Sequence, residues 1–142
     1  MEDWNFGIST FVGLGYVFYF LNLGIQSTPY NRNYNKLFNK SYFIVQLGIT
    51  VVIAIFGTYR ILNVDAREVF YLSPLTFLIL FAIFNKISLL ATGKNILIAT
   101  GWDRIPNGNK FTSRMNFFLL FFLTVLIPGL LMNYLNIGQL MP

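Results

Sequence analysis

Four apolar stretches of about 20 residues constrain the fold of this chain more than any other feature. A helix needs ~20 apolar residues to cross the hydrocarbon core of a bilayer. The stretches do not alternate between apolar and polar residues, so helices are favoured over the strands of a membrane barrel. The sequence predicts a single polytopic all-α membrane domain over residues 1–142, with four transmembrane helices in a bundle. Their expected bounds are about 6–26, 42–62, 74–92 and 116–136.

The composition points to the same class of protein. Hydrophobic residues make up 56% of the chain and charged residues only 11%, whereas soluble domains carry about 25% charged residues. So few charges cannot cover a surface that faces water. The bilayer must therefore be the solvent for most of the chain.

The residue types that support most enzyme chemistry are missing. The chain has no cysteine and no histidine, which excludes disulfides, thiol nucleophiles, imidazole bases and the common zinc and haem ligands. No phosphate-binding loop or nucleophile elbow occurs either. We therefore expect no metal, no cofactor and no catalytic residues. The five carboxylates lie outside the apolar stretches: Glu2, Asp3, Asp65, Glu68 and Asp103. We expect Asp65, Arg67 and Glu68 to lie in a solvated loop, where their charges neutralise one another.

A short segment near residues 29–40 has two rows of side chains that recur every four positions. Residues four apart share one side of a helix, so the pattern predicts a short amphipathic helix lying in the membrane interface. The two rows are aromatic (Tyr30, Tyr34, Phe38) and basic (Arg32, Lys36, Lys40).

Small and weakly polar residues form a stripe on the first two spans. In the first span Ser9 and Gly13 are four residues apart, and in the second a longer series has the same spacing. Such a stripe is typical of helix packing, but it could also line a water-filled pore. The series in the second span is Gln46, Thr50, Ala54 and Thr58.

The third span contains a polar pair, Asn85 and Lys86, near its carboxyl end. Lys86 can reach the membrane surface with its long side chain. The alternative is an intramembrane polar site in which this pair, with Ser88 and Thr92, holds an anion or a lipid headgroup.

Basic residues are concentrated in the segment that follows. We expect residues 95–102 to lie along the membrane surface and residues 103–113 to face the cytosol, with Asp103 and Arg104 forming a local ion pair. Three residues of this segment join the basic row above as interfacial cations: Arg104, Lys110 and Arg114. In the last span, Pro128 and Gly129 predict a kink.

The distribution of lysine and arginine predicts the orientation. The first connection carries three basic residues and the third carries five with Lys86, against two in the second. Cytoplasmic connections are enriched in such residues, so both termini lie outside, in a bacterial inner membrane. The expected partners are anionic lipids on the cytoplasmic side and other membrane proteins or copies of this chain. Nucleic acid is not expected, because the basic residues flank spans.

Three functions follow, in order of preference. The first is a non-enzymatic structural, accessory or interaction subunit of a membrane assembly or homo-oligomer. The second is an oligomeric channel or pore, favouring anions or permeabilising the membrane. The third is a membrane enzyme that acts on a lipid headgroup.

Overall fold

Four long α-helices make up most of the chain. The computed structural model describes residues 2–21, 29–100, 103, 105 and 110–140. The helices are α1 (Glu2–Leu21), α2 (Lys40–Asn63), α3 (Ser73–Thr92) and α4 (Lys110–Leu140). Each is long and apolar enough to cross a membrane. The chain is thus an integral membrane protein, and the predicted all-α bundle of four transmembrane helices is confirmed.

The helix bounds agree with the prediction to within two residues for α2 and α3. α1 begins at Glu2, before the expected start at 6, and α4 runs from Lys110 to Leu140, beyond the expected bounds of 116 and 136 at both ends. The expected end of the first span, at 26, lies outside the described residues. The first connection, between α1 and α2, contains two 3₁₀ helices, Pro29–Asn31 and Asn33–Phe38, in place of one amphipathic helix.

Local signals account for where α2 and α3 begin and end. The side chain of Asn39 accepts hydrogen bonds from the backbone N–H groups of Ser41 and Tyr42, which caps the start of α2. Gly93 has φ 68°, and its N–H donates to the Leu89 carbonyl at 2.9 Å. Glycine adopts this left-handed conformation without strain, so Gly93 ends α3.

Pro128 lies inside α4, which is continuous from Lys110 to Leu140. Proline has no N–H, so the carbonyl of Thr124 lacks its usual donor within the helix. The hydroxyl of Thr124 donates to the Leu120 carbonyl at 2.7 Å. The kink at Pro128 and Gly129 stays a prediction.

An aromatic core holds the bundle together. Phe20 of α1 stacks on Phe77 of α3 with ring centroids 6.0 Å apart, and Phe77 stacks on Phe81 at 6.3 Å. Tyr34 of the first connection lies against Phe81, and Leu120 of α4 completes the cluster. Each of these five side chains is buried. α3 is central, because it contacts all three other helices.

The second connection, residues 64–72, folds into the bundle. Its 3₁₀ helix, Ala66–Leu72, contacts all four α-helices. Two glycines allow this close approach: a Cβ at Gly13 would overlap the backbone carbonyl of Phe70, and one at Gly57 would overlap the Cβ of Tyr71. The turn between α2 and α3 is therefore packed among the helices.

Candidate functional site

A buried ion pair joins the first connection to the third. Arg32 is 3% exposed and Asp103 is 6% exposed. The Arg32 Nε lies 3.2 Å from Oδ2 of Asp103, and Nη2 lies 2.5 Å from Oδ1. The guanidinium also donates to the carbonyl of Leu21, and the backbone N–H of Thr100 donates to the carboxylate at 2.6 Å. The pair thus ties together the end of α1 and both connections.

This pair corrects two expectations. Arg32 was expected in an exposed basic row, but its side chain is inside the protein while Lys36 and Lys40 are exposed. Asp103 was expected to pair with its neighbour Arg104, but it pairs with Arg32. Arg104 lies outside the described residues. A buried charge needs an opposite charge and hydrogen bonds, and Arg32 and Asp103 supply these to each other.

The third connection, which begins at Gly93, is also partly internal. Ile96, Ile98 and Ala99 are buried, so the expectation that residues 95–102 lie along the membrane surface is wrong for these three. Side chains from other elements accept hydrogen bonds from two of the backbone N–H groups. The N–H of Ile96 donates to Oδ1 of Asn85 at 2.8 Å, and the N–H of Ile98 donates to the Tyr34 hydroxyl at 3.0 Å. The backbone polar groups of this apolar segment can therefore be buried without loss of hydrogen bonds.

The region expected to face the cytosol, residues 103–113, is also partly enclosed. Asp103, Ile105 and Ser113 are buried. Ser113 lies inside α4, and its carbonyl accepts a hydrogen bond from the N–H of Ala99 at 3.1 Å. This contact ties the start of α4 to the third connection.

The polar residues predicted near the end of α3 have different environments. Asn85 holds the Ile96 N–H, the Ser88 hydroxyl donates to the carbonyl of Lys94 at 2.9 Å, and the Thr92 hydroxyl donates to the Ser88 carbonyl at 2.8 Å. Lys86 is exposed. The structure thus brings Asn85, Ser88 and Thr92 to the third connection and leaves Lys86 on the outer surface.

A polar cavity of about 660 Å³ opens at this end of the bundle. It lies between the first connection, the end of α3, the third connection and the start of α4, and we call it the polar cavity. Its lining includes Tyr30, Asn35, Ser88, Lys94, Leu97 and Asn116. The amide of Asn116 donates to the Leu97 carbonyl at 3.1 Å. Two of the predicted polar residues, Ser88 and Thr92, line it as well.

Exposed lysines come from the first connection, α2, α3, the third connection and α4 at this end of the bundle, which we call the basic end. None of them forms an ion pair within the described part of the chain. They are Lys36, Lys40, Lys86, Lys94 and Lys110. Arg114 is half-buried near the start of α4. The basic end therefore presents a positive surface around the polar cavity.

A further group of charged residues lies in and beside the second connection. Glu68 is fully buried and accepts two hydrogen bonds from Arg60 of α2, at 2.9 and 2.7 Å. The expectation of a solvated loop is therefore wrong for Glu68. Asp65 and Arg67 form a partly exposed pair at 2.8 Å, and the hydrogen bond from the Arg67 side chain lowers the pKa of Asp65.

The stripe predicted for packing or pore lining lies mostly inside the chain. Ser9, Gly13, Thr50 and Ala54 are buried. Gln46 accepts a hydrogen bond at 3.0 Å from the hydroxyl of Tyr16 on α1, a partner 30 residues away that spacing within α2 does not indicate. Thr58 is exposed, and its hydroxyl donates to the Ala54 carbonyl at 2.8 Å.

The opposite side of α2 faces outward and is entirely apolar near its middle. Gly48 is exposed, and a Cβ added there would meet no other atom within 4 Å. Exposed β-branched side chains surround it at helical spacing, with Val52 and Ile55 each 66% exposed and Ile44 56% exposed. We call Ile44, Gly48, Val52 and Ile55 the outer face of α2.

Comparison with known proteins does not assign a function to this arrangement of residues. Comparison of the chain with protein-family models, with curated proteins and with solved structures gives no match. Within the described ranges no group of three or more acidic, histidine or cysteine residues is placed to hold a metal ion. Any functional conclusion therefore depends on the geometry of the chain itself.

Proposed function

We propose that this protein is a non-enzymatic membrane component that associates with a second copy of itself through the outer face of α2. The observation that carries this proposal is the exposed Gly48, with open space above its backbone and β-branched neighbours on both sides. Larger membrane assemblies could use the same face, and the homo-oligomer is the form that we test.

A glycine in the middle of an exposed transmembrane face favours helix association. Another backbone can approach closely at Gly48, where van der Waals packing between helices is strongest. Val52, Ile55 and Ile44 are stiff at χ1, so they lose little conformational freedom when a partner packs against them.

Two copies in one membrane have the same orientation. A two-fold axis along the membrane normal then brings identical residues together at the same depth, so Gly48 faces Gly48 and Val52 faces Val52. Such an interface is complementary to itself, as symmetric dimers require. A second copy is therefore the simplest occupant of this face.

The pore alternative has less support. It needs Gln46 and Thr50 to face water, whereas Gln46 is bonded to Tyr16 and Thr50 is fully buried. Headgroup chemistry has less support still, because the carboxylate of Asp103 is bonded to Arg32 and is not free to act as a base. These observations favour the role of a packing component.

The proposal can be tested by measuring mass in mild detergent and by cross-linking in native membranes. Gly48→Leu fills the space above the α2 backbone and should convert oligomer to monomer. Gly7→Leu is the matched control, because Gly7 is also an exposed helical glycine with open space around it. A wild-type protein that is strictly monomeric, or a loss of oligomer in Gly7→Leu alone, would contradict the proposal.

The cellular location is part of the same proposal. We infer a bacterial inner membrane, with the basic end in the cytoplasm and both termini outside. The five exposed lysines at the basic end support this orientation, since lysine and arginine are retained on the cytoplasmic side during insertion.

A further inference from the structure

The polar cavity has an unusual wall for a membrane protein. Its lining combines one exposed cation, Lys94, with uncharged polar groups such as Asn35, Asn95 and Asn116. Apolar and aromatic groups, including Tyr30 and Leu97, complete it. A cavity lined by both polar and apolar groups suits a ligand that has both.

The backbone of the third connection adds hydrogen-bond donors. The N–H groups of Ile96 and Ile98 are bonded inward, to Asn85 and to Tyr34. Those of Asn95 and Leu97 alternate with them, and among the described residues they have no acceptor. Both residues line the polar cavity, so these two donors can bind a ligand there.

The charges around the cavity favour an anion. The carboxylates whose side chains the structure describes are all engaged with arginine: Asp103 with Arg32, Glu68 with Arg60, and Asp65 with Arg67. Lys94 has no ion-pair partner within the same residues, and neither do the other four lysines of the basic end. A ligand with negative charge would therefore meet unopposed positive charge.

The position of the cavity identifies the kind of anion. It opens at the end of two transmembrane helices, α3 and α4, where lipid headgroups lie. Backbone N–H groups and a lysine together are a common arrangement for binding phosphate. The aromatic rings of Tyr30 and Phe38, which also line the cavity, can contact the glycerol and the first part of an acyl chain.

We propose that the polar cavity binds the phosphate of an anionic glycerophospholipid, with Lys94 and the N–H groups of Asn95 and Leu97 as its main donors. This site is distinct from the α2 face and does not depend on oligomer formation. It also differs from the predicted polar site, because Lys94 replaces Lys86 as the cation.

Native mass spectrometry of the delipidated protein, titrated with phosphatidylglycerol or with phosphatidylcholine, tests this proposal. Wild-type protein should bind phosphatidylglycerol more tightly. Lys94→Gln should weaken that binding about fivefold, the effect expected of one lysine near an anionic surface. Lys40→Gln is the matched control, because Lys40 is an exposed lysine of the same end that does not line the cavity.

A second variant keeps the test informative. Asn95→Asp places a carboxylate beside Lys94 at an exposed position whose side chain makes no hydrogen bond with the described residues. It should weaken binding of phosphatidylglycerol at least as much as Lys94→Gln does, with an unchanged melting temperature. No weakening in either variant would overturn the proposal, as would equal losses in Lys94→Gln and Lys40→Gln.

Competition experiments separate a lipid from a free anion. Excess inorganic phosphate should displace phosphatidylglycerol only weakly, because it lacks the glycerol and acyl groups that contact the aromatic wall. If inorganic phosphate displaces the lipid completely, or if phosphatidylcholine binds equally well, the assignment to an anionic lipid is wrong.

Discussion

Arg32 and Asp103 are 71 residues apart in the sequence and form a buried ion pair that joins the first and third connections. Each partner also bonds to the backbone: Arg32 to the carbonyl of Leu21, and Asp103 to the N–H of Thr100. The charges are thus compensated inside the protein. The pair fixes how two connections and the end of α1 are arranged.

Removal of one partner should be costly. Asp103→Asn leaves the Arg32 guanidinium buried without a carboxylate, and we expect a loss of ~3–5 kcal/mol in the free energy of unfolding. Reversible unfolding in mixed micelles with increasing denaturing detergent measures it. The double variant Arg32→Met with Asp103→Leu should recover most of the loss, since no unpaired charge remains.

The control for this experiment is Asp65→Asn. Asp65 and Arg67 form a pair that is partly exposed, and such pairs contribute ~1 kcal/mol or less. Equal losses in Asp103→Asn and Asp65→Asn would show that burial of the Arg32–Asp103 pair has no special effect on stability.

Two glycines of α1 should respond in opposite ways to alanine. Gly13→Ala places a Cβ against the carbonyl of Phe70 in the second connection, and overpacking of this kind costs ~1–3 kcal/mol. Gly15 has open space around it, so Gly15→Ala should leave stability unchanged or raise it by up to ~1 kcal/mol. Melting temperatures in detergent measure both, and a neutral Gly13→Ala would argue against tight packing at this contact.

Tyr34 should make stability depend on pH in the alkaline range. Burial raises the pKa of Tyr34 from 10.0 to about 12, although the N–H of Ile98 and the charge of Arg32 oppose the change. The folded state therefore holds the proton more strongly than the unfolded state. The resulting stabilisation is complete below pH 10 and is lost as the pH rises from 10 to about 12.

The variant Tyr34→Phe tests both roles of this hydroxyl. It leaves the Ile98 N–H without its acceptor, which should cost ~1–3 kcal/mol at neutral pH. It should also remove the Tyr34 contribution to the loss of stability above pH 10. Unfolding curves for wild type and variant at several alkaline pH values give the comparison, and parallel curves would contradict the assignment.

The orientation can be tested with single cysteines, because the chain has none of its own. Lys36→Cys and Lys94→Cys lie at exposed positions of the basic end, and Asn63→Cys lies at an exposed position at the end of α2. A reagent that cannot cross the membrane should label Asn63→Cys in intact cells. The other two should react only after the membrane is opened, and labelling of all three from one side would refute the four-span orientation.

The helices could be predicted from the sequence because their signals are local. Length and hydropathy define the four spans, and a single glycine, Gly93, marks the end of α3. The lengths of the apolar stretches do not depend on the rest of the fold. For this reason the predicted class and the predicted bounds of α2 and α3 agree with the structure.

The partners of the buried charges could not be predicted in the same way. Nothing near Asp103 in the sequence points to Arg32, and its neighbour Arg104 offered a simpler pair. Glu68 was likewise expected in solvent, because Asp65 and Arg67 lie close to it in the sequence and a cluster of charges is typical of an exposed loop. Their burial depends on how the connections pack between helices, which hydropathy and spacing do not report.

The polar cavity shows the same limit. Ser88 and Thr92 were identified as candidates by their position near the end of a span, and both line the cavity. Lys94, Asn95 and Leu97 were not predicted to form this site. A backbone N–H group is present whatever the side chain, so the donors of Asn95 and Leu97 cannot be recognised from residue type. Only the folded third connection brings these groups together.

Two of the arginine–carboxylate pairs, Arg60–Glu68 and Arg32–Asp103, differ in what they require during synthesis. Arg60 and Glu68 are eight residues apart and can meet as soon as α2 and α3 form a helical hairpin, since short loops close readily. Arg32 must wait until residue 103 has been made. We therefore expect the end with the second connection to fold first and the basic end last, and chains truncated before residue 103 should form the first pair without the second. Until then, the first connection contains an arginine whose counter-charge has not yet been translated.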